Sequence, residues 1–257
     1  MKKAAFVFLT VLAQLSYACG GGTDAKTVMN KNENSKPVTI TFPSLDSLTV
    51  TADMYVRNDS LPWMLLCHQA GYSRGEYIET AQFFMDCGYN CLAIDQRSGN
   101  EVNGVKNETA ALAKKKDLPT DYLSAEQDIV AGLNYLFAKS GRPVVLVGSS
   151  YSAGLVLKIA TGNPEVKAVL SFSPGEYYDG KFRVAETVKP LDKPVFITSA
   201  KREVPDAKKI FDAIGSTQKT FFSPTVEGVH ASSCLWSSTP GYEEYRDAVK
   251  KFLAGIH

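Results

Sequence analysis

A series of near-continuous apolar runs is the feature of this sequence that most constrains its fold. The runs lie at residues 63–67, 91–94, 144–147, 166–172 and 195–197. A strand with one face in water alternates apolar and polar residues, whereas a strand that is apolar throughout must be covered on both faces, as in a parallel sheet between helices. The runs therefore predict a mostly parallel sheet inside the protein.

Segments with helical spacing of apolar residues lie between these runs and after them. They are residues 76–87, 125–138, 153–160, 207–214 and 243–253. This alternation of strands and helices predicts an α/β fold with a doubly wound, mostly parallel sheet and flanking helices. Two earlier segments, residues 38–42 and 48–56, alternate apolar and polar residues and predict an N-terminal antiparallel hairpin.

The remaining segments add no second domain to this prediction. No linker rich in Pro, Gly or Ser interrupts residues 38–257, which we therefore assign to one domain. The polar segment 99–120 is expected to be an excursion over the edge of the sheet. The connection 173–193 is too short to hold a large cap domain.

The first residues have the pattern of an export signal. Two lysines precede an apolar run at residues 4–15, which is shorter than the about 20 residues that a membrane span needs. Small residues then precede Cys19, three glycines and a polar stretch. The pattern resembles the lipid-attachment site of bacterial lipoproteins, which implies a signal peptide (1–18), a lipid-bearing Cys19 and a tether (19–37). We expect an exported protein of the bacterial cell envelope that meets the membrane only through this anchor, with secretion without a lipid as the alternative.

Charge and histidine content argue against two classes of partner. The chain has 28 Lys and Arg residues against 27 Asp and Glu residues, a formal net charge of +1, so a nucleic-acid partner is not expected. Its three histidines include no pair at metal-ligand spacing, so no metal site is predicted. No other cofactor is predicted either.

The segment after residues 144–147 carries the main candidate for catalysis. Ligands of a parallel sheet bind beyond the carboxyl ends of its strands, and a sharp strand-to-helix turn needs small residues two places before and after its nucleophile. Ser150 meets this requirement, with Gly148 and Ser152 as its flanks. Ser149 would have bulky residues at those positions, and Ser152 falls within the following helix. We therefore predict that Ser150 is a nucleophile.

A second motif follows the run at 63–67, with the residues His-Gln-Ala-Gly at positions 68–71. Together with the strand-to-helix turn, it resembles the α/β-hydrolase superfamily and is most similar to the serine esterases related to dienelactone hydrolase. Those enzymes have a His-Gly-x-Gly turn at this place. The resemblance implies that the backbone N–H groups of Ala70 and Tyr151 bind the oxyanion of the reaction, and that His68 is structural.

The resemblance also implies a carboxylate and a histidine that complete a catalytic set. Glu203 lies in the loop after the last apolar run, and His230 lies further along the chain. The order Ser150, Glu203, His230 is that of nucleophile, acid and base in this family. Asp206 and Glu176 stay open as alternative carboxylates.

These residues imply a serine hydrolase that cleaves carboxylic esters through an acyl-enzyme, with a small-molecule or acylated-carbohydrate ester as substrate. Tyr72, Tyr177 and Tyr178 are candidates for lining its substrate pocket, although ordinary packing explains such aromatic residues equally well. A peptidase of the same fold and a catalytically silent, hydrolase-like binding lipoprotein are the two alternatives.

Overall fold

A computed structural model of the protein describes residues 36–256. The strands within these residues are β1 (Val38–Pro43), β2 (Thr49–Tyr55), β3 (Trp63–Cys67), β4 (Asn90–Ile94), β5 (Glu101–Val102), β6 (Val105–Lys106), β7 (Val144–Ser149), β8 (Val166–Phe172), β9 (Val195–Thr198) and β10 (Lys219–Phe222). The α-helices are α1 (Ile78–Asp86), α2 (Glu108–Lys115), α3 (Glu126–Ser140), α4 (Tyr151–Ala160), α5 (Val184–Thr187), α6 (Val204–Ala213) and α7 (Tyr242–Ala254).

Eight strands form one sheet in the order β1-β2-β4-β3-β7-β8-β9-β10. β1 pairs with β2, and β2 with β4, in antiparallel fashion, whereas the later neighbours in the sheet are parallel. β5 and β6 form a separate hairpin. The predicted doubly wound, mostly parallel sheet with an N-terminal antiparallel hairpin is confirmed.

Helices cover both faces of the sheet, as the continuous apolar runs require. On one face, Leu65 of β3 belongs to a core that includes Ile129 of α3 and Leu155 of α4. On the other face, Leu66 of β3 belongs to a core with residues of α1 and α7, among them Phe84. Adjacent residues of one strand enter opposite cores because successive side chains of a strand point to opposite faces. Because helices cover both faces, the sheet is open to ligands only at its edges, among them the edge where the carboxyl ends of the strands meet their loops.

Residues 99–120, for which the sequence predicts an excursion over the edge of the sheet, contain the β5–β6 hairpin and helix α2. The helix begins where Asn107 Oδ1 accepts a hydrogen bond from the N–H of Ala110 at 2.7 Å. The N–H of Glu108 donates to Asp95 Oδ2 at 2.9 Å. Capping of this kind stabilises a helix start without an apolar stripe. Because α2 buries only small side chains, its sequence lacks the apolar period that reveals a helix.

The N-terminal predictions fall outside the part of the chain that the structure describes. The predicted signal peptide (1–18) and Cys19 lie outside the described residues, as do all but the last two residues of the predicted tether (19–37). Export and lipid attachment therefore stay predictions. Among residues 36–256, no helix has the length and apolar character needed to cross a membrane.

A buried arginine ties the β1–β2 turn to the sheet and to α3. Arg97 lies in the loop after β4, and its guanidinium contacts Asp128 of α3 and Asp46 of the turn, each at 2.7 Å. Hydrogen bonds from Arg97 lower the pKa of Asp46 to about 2. The folded protein thus keeps Asp46 ionised at pH values where the unfolded chain would protonate it.

We expect Asp46→Asn to lower the free energy of unfolding most above about pH 4, where Asp46 is ionised in both states and its contact with Arg97 is complete. As the pH falls from about 4 toward about 2, the folded carboxyl also takes up a proton, so the difference between wild type and variant should shrink. Urea unfolding of both proteins at several pH values measures this difference. A difference that grows on acidification would contradict a stabilising ion pair.

Candidate active site

Ser150 lies at the sharp turn where β7 ends and α4 begins. Its backbone has φ 58° and ψ −120°, a conformation that residues other than glycine rarely adopt. The chain comes so close to itself here that a Cβ on Gly148 would lie 2.6 Å from the Cα of Ala153 and 2.6 Å from the carbonyl oxygen of Ser152. The turn therefore needs a glycine two places before Ser150.

The hydroxyl groups of the three serines at this turn have different partners. Ser149 Oγ donates to Glu76 Oε1 at 2.6 Å. Ser152 Oγ donates to a backbone carbonyl at the end of β3, also at 2.6 Å. Ser150 Oγ lies 2.8 Å from Nε2 of His230. Ser150 thus has the hydroxyl that faces an imidazole, the usual proton acceptor in base catalysis.

His230 stands between Ser150 and Glu203. Its Nδ1 lies 2.8 Å from Glu203 Oε1, while its Nε2 faces the Ser150 hydroxyl. An imidazole whose Nδ1–H donates to a carboxylate presents Nε2 as its proton acceptor. The side chains of His230 and Glu203 are 33% and 24% exposed, so a ligand can reach them from solvent.

Ser173, directly after β8, binds the second oxygen of the Glu203 carboxylate, and the sequence analysis missed it. Its Oγ donates to Glu203 Oε2 at 2.7 Å and accepts a hydrogen bond from the N–H of Ala231 at 2.9 Å. Burial raises the pKa of Glu203, but hydrogen bonds from His230 and Ser173 outweigh it and lower the pKa below its ordinary value. The carboxylate thus stays ionised beside His230. A polar residue at the carboxyl end of a buried strand was the available signal for Ser173.

The backbone N–H groups of Ala70 and Tyr151 lie at the same edge of the sheet as Ser150. Ala70 is in the turn after β3, Tyr151 is the first residue of α4, and β3 and β7 are neighbouring strands. Within residues 36–256, neither N–H is paired with an acceptor of the protein. The first amides of a helix have no partner inside it. Both groups therefore have a hydrogen-bonding capacity that the described residues do not use.

His68 lies in the interior behind the turn that carries Ala70. The N–H of Gln96 donates to its Nε2 at 3.0 Å, and its Nδ1 lies 2.8 Å from the carbonyl oxygen of Gln69. Since Nε2 accepts, the ring proton is on Nδ1 and binds that carbonyl. Burial lowers the pKa of His68 to about 4, so the ring is neutral near pH 7. This placement makes His68 part of the scaffold of the turn.

Two of the three candidate pocket tyrosines reach the surface. Tyr177 is 37% exposed and lines, with Tyr122 and Lys181, a cavity of about 240 Å³. Tyr72 is half-buried and stacks on Trp236, with ring centroids 6.4 Å apart.

Tyr178, the third candidate, is only 2% exposed. Its hydroxyl donates to the carbonyl oxygen of Tyr151, and its ring packs on Phe182 with centroids 4.1 Å apart. Only a small part of its surface reaches the 240 Å³ cavity. Its polar group is thus already paired with the first residue of the helix that follows Ser150, and contact with a substrate stays a prediction.

The alternative carboxylates have other partners. Glu176 accepts hydrogen bonds from the first two N–H groups of α5, at 2.6 and 3.0 Å. Asp206 is exposed on α6 and pairs with a neighbouring lysine at 2.8 Å. Glu203 is the carboxylate that lies against His230. Among residues 36–256, no three His, Cys, Asp or Glu side chains lie together in a way that could hold a metal ion.

Solved structures of several hydrolases share the fold of this chain. An esterase from Pyrococcus furiosus matches at 16% identity and a TM-score of 0.67, over 87% of this chain and 94% of its own. Dienelactone hydrolase from Anabaena variabilis matches at 15% identity and a TM-score of 0.65, over 86% of this chain and 99% of its own. An acylaminoacyl peptidase from Pyrococcus horikoshii matches at 15% identity and a TM-score of 0.63, over 86% of this chain but 41% of its own. By sequence, neither a protein-family model nor a curated protein matches. The chain therefore has the predicted α/β-hydrolase fold.

We expect Gly148→Ala to lower the free energy of unfolding by about 1–3 kcal/mol, because the added methyl group would overpack the turn at Ser150. Gly255→Ala is the control, since its Cβ would come no closer than 3.4 Å to a neighbouring atom. This exposed change should cost less than about 0.5 kcal/mol. Urea unfolding compares the two variants, and equal stabilities would show that the turn accepts a side chain at position 148.

Proposed function

We propose that this protein is a serine hydrolase that cleaves carboxylic esters through an acyl-enzyme, with Ser150, His230 and Glu203 as its catalytic residues. The observation that carries the proposal is the hydrogen-bonded chain from the Ser150 hydroxyl through both nitrogens of His230 to Glu203, with 2.8 Å at each step. A serine hydroxyl is a weak nucleophile near neutral pH and needs an adjacent base of this kind. The fold supports the proposal, because solved structures of esterases share it.

In the proposed reaction, Ser150 Oγ attacks the ester carbonyl carbon while His230 Nε2 takes the hydroxyl proton. Glu203 orients the imidazole through Nδ1–H and stabilises the imidazolium that forms. The N–H groups of Ala70 and Tyr151 bind the developing oxyanion. His230 then protonates the leaving alcohol, and water repeats the sequence on the acyl-enzyme to release the carboxylic acid. The scheme needs no cofactor.

The 240 Å³ cavity supports a small, polar substrate. Tyr122 in its wall stacks on Tyr151, the residue after the proposed nucleophile, with ring centroids 4.5 Å apart. The volume is below the range of about 300–1,000 Å³ that is usual for drug-sized ligands. Tyrosine rings and the charged groups of Asp121 and Lys181 share the wall, and such a mixture of apolar faces and hydrogen-bonding groups suits a polyol. We therefore propose small-molecule esters, acylated carbohydrates among them, as substrates.

A peptidase is the second candidate, because the structural matches include an acylaminoacyl peptidase. A catalytically silent binding protein is the third, although such a protein would be expected to lack a member of the catalytic set. Turnover of a chromogenic ester and of the matching anilide separates the three. Faster ester cleavage supports the esterase, faster anilide cleavage supports the peptidase, and no cleavage of either supports the binding protein.

We expect Ser150→Ala to lower ester turnover by about 10⁴-fold or more, because the nucleophile is removed. A serine-reactive phosphonate should label the wild type at Ser150 and leave this variant unlabelled, as mass spectrometry of peptides would show. Ser149→Ala and Ser152→Ala keep the proposed nucleophile and should still be labelled at Ser150. Labelling of Ser150→Ala at either neighbouring serine would refute the assignment.

We expect Glu203→Gln to keep the fold but to lower kcat by up to about 10⁴-fold, because a neutral amide neither fixes the tautomer of His230 nor stabilises the imidazolium. Asp206→Asn is the control on the same surface. It should leave kcat unchanged and cost at most about 1 kcal/mol of stability, since Asp206 lies in the first turn of α6. Steady-state kinetics of both variants decide the matter, and loss of turnover in Asp206→Asn alone would transfer the role to Asp206.

A further inference from the structure

One carboxylate that the proposed mechanism does not use lies beneath the catalytic residues. Glu76, in the short 3-10 helix before α1, is fully buried. Its Oε2 accepts a hydrogen bond from the backbone N–H of Gln69 at 2.8 Å. Its Oε1 accepts hydrogen bonds from the hydroxyl groups of Ser149 and Ser232, each at 2.6 Å. One side chain thus joins three separate segments of the chain.

Each segment joined by Glu76 carries a group of the proposed reaction. Gln69 directly precedes the proposed oxyanion donor of the turn, Ser149 directly precedes the proposed nucleophile, and Ser232 lies two places after the proposed base. We propose that Glu76 is a positioning residue that holds oxyanion donor, nucleophile and base at their mutual distances, an inference that rests on the proposed function.

Further hydrogen bonds connect the same three segments directly. The N–H of Ser232 donates to Ser149 Oγ at 3.1 Å. The side-chain amide of Gln69 donates to Ser233 Oγ at 3.3 Å. The indole N–H of Trp236 donates to the backbone carbonyl of Glu76 at 3.0 Å. The segments therefore form one connected network, in which loss of a central acceptor affects the others.

Packing alone does not account for a carboxylate at this place. A buried carboxylate destabilises the folded protein unless hydrogen bonds replace those that it made to water. Burial raises the pKa of Glu76 above its ordinary value, and the hydrogen bonds that Glu76 accepts act in the opposite direction. An apolar side chain could fill a similar volume at lower cost. It would not, however, accept hydrogen bonds from three segments at once. The advantage of Glu76 is therefore the alignment that it imposes.

Glu76→Gln tests the proposal because it keeps the shape of the side chain and replaces one acceptor oxygen by a donor. Either the contact with the Gln69 N–H is then lost, or the two serine hydroxyls must turn to accept from the new amide, and the segment concerned can shift. Since a displacement of about 1 Å within a catalytic site can cost about 10²-fold in rate, we expect kcat for a chromogenic ester to fall by about 10²-fold. KM should stay unchanged, because the substrate pocket is not touched.

Asp128→Asn is the matched control. Asp128 is also fully buried, and its side-chain hydrogen bonds go to Arg97 and Ser44, neither of which contacts the proposed catalytic residues. We expect this variant to lose stability but to keep the kcat and KM of the wild type. Both variants are assayed at a temperature at which circular dichroism shows them folded. Equal losses of kcat in the two variants, or wild-type kcat in folded Glu76→Gln, would overturn the positioning role.

Ser232→Ala provides a second variant should Glu76→Gln fail to fold. It removes one hydroxyl between the carboxylate and the segment after His230, and we expect kcat to fall by about tenfold at unchanged KM. Unchanged kcat in this variant would count against the proposal. The wild type, assayed in parallel, separates the positioning role of Glu76 from the proposed function. If the wild type is active and labelled by the phosphonate while both variants keep its kcat, the positioning role is refuted and the proposed function stands. A wild type that is inactive and unlabelled refutes the proposed function and this inference with it.

Discussion

The chain leaves β7 and enters α4 through Ser150, whose φ of 58° costs about 1–3 kcal/mol that the surrounding structure has to offset. Contacts on both sides of the turn supply that stabilisation. The N–H of Ser150 donates to the carbonyl oxygen of Phe172 in β8 at 2.8 Å, and the Ser152 hydroxyl binds the end of β3. In this conformation the Ser150 hydroxyl lies 2.8 Å from Nε2 of His230. The rest of the site therefore depends on this strained turn and on the two strands that flank β7.

The hydroxyl groups of Ser149 and Ser173 connect the ends of two strands to carboxylates of the site. A hydroxyl can donate and accept at the same time, and two serines use this capacity in the same way. Ser149 donates to Glu76 and accepts from the N–H of Ser232. Ser173 donates to Glu203 and accepts from a backbone N–H. Each carboxylate is thereby bound to the end of a strand.

The strands and helices that could be predicted from the sequence are those with a pattern among neighbouring residues. Strand β3 has the predicted bounds, Trp63–Cys67, because a buried strand is apolar over its whole length. Helix α2 has no such signature, since it buries small side chains and begins at a capping residue. The burial of Tyr178 has no such signature either, because a tyrosine in a connecting segment can face either the solvent or the core, and its sequence neighbours do not decide which.

By itself, the sequence determined the layers of the fold, the turn at Ser150 and the chain order of Ser150, Glu203 and His230. Only the tertiary structure decided which carboxylate meets His230 and that Glu76 binds Ser149 and Ser232, which lie 73 and 156 residues away from it. The reason is physical. Apolar periodicity and turn preferences act over a few neighbouring residues, whereas a hydrogen bond between buried side chains depends on how segments distant in the chain pack against one another.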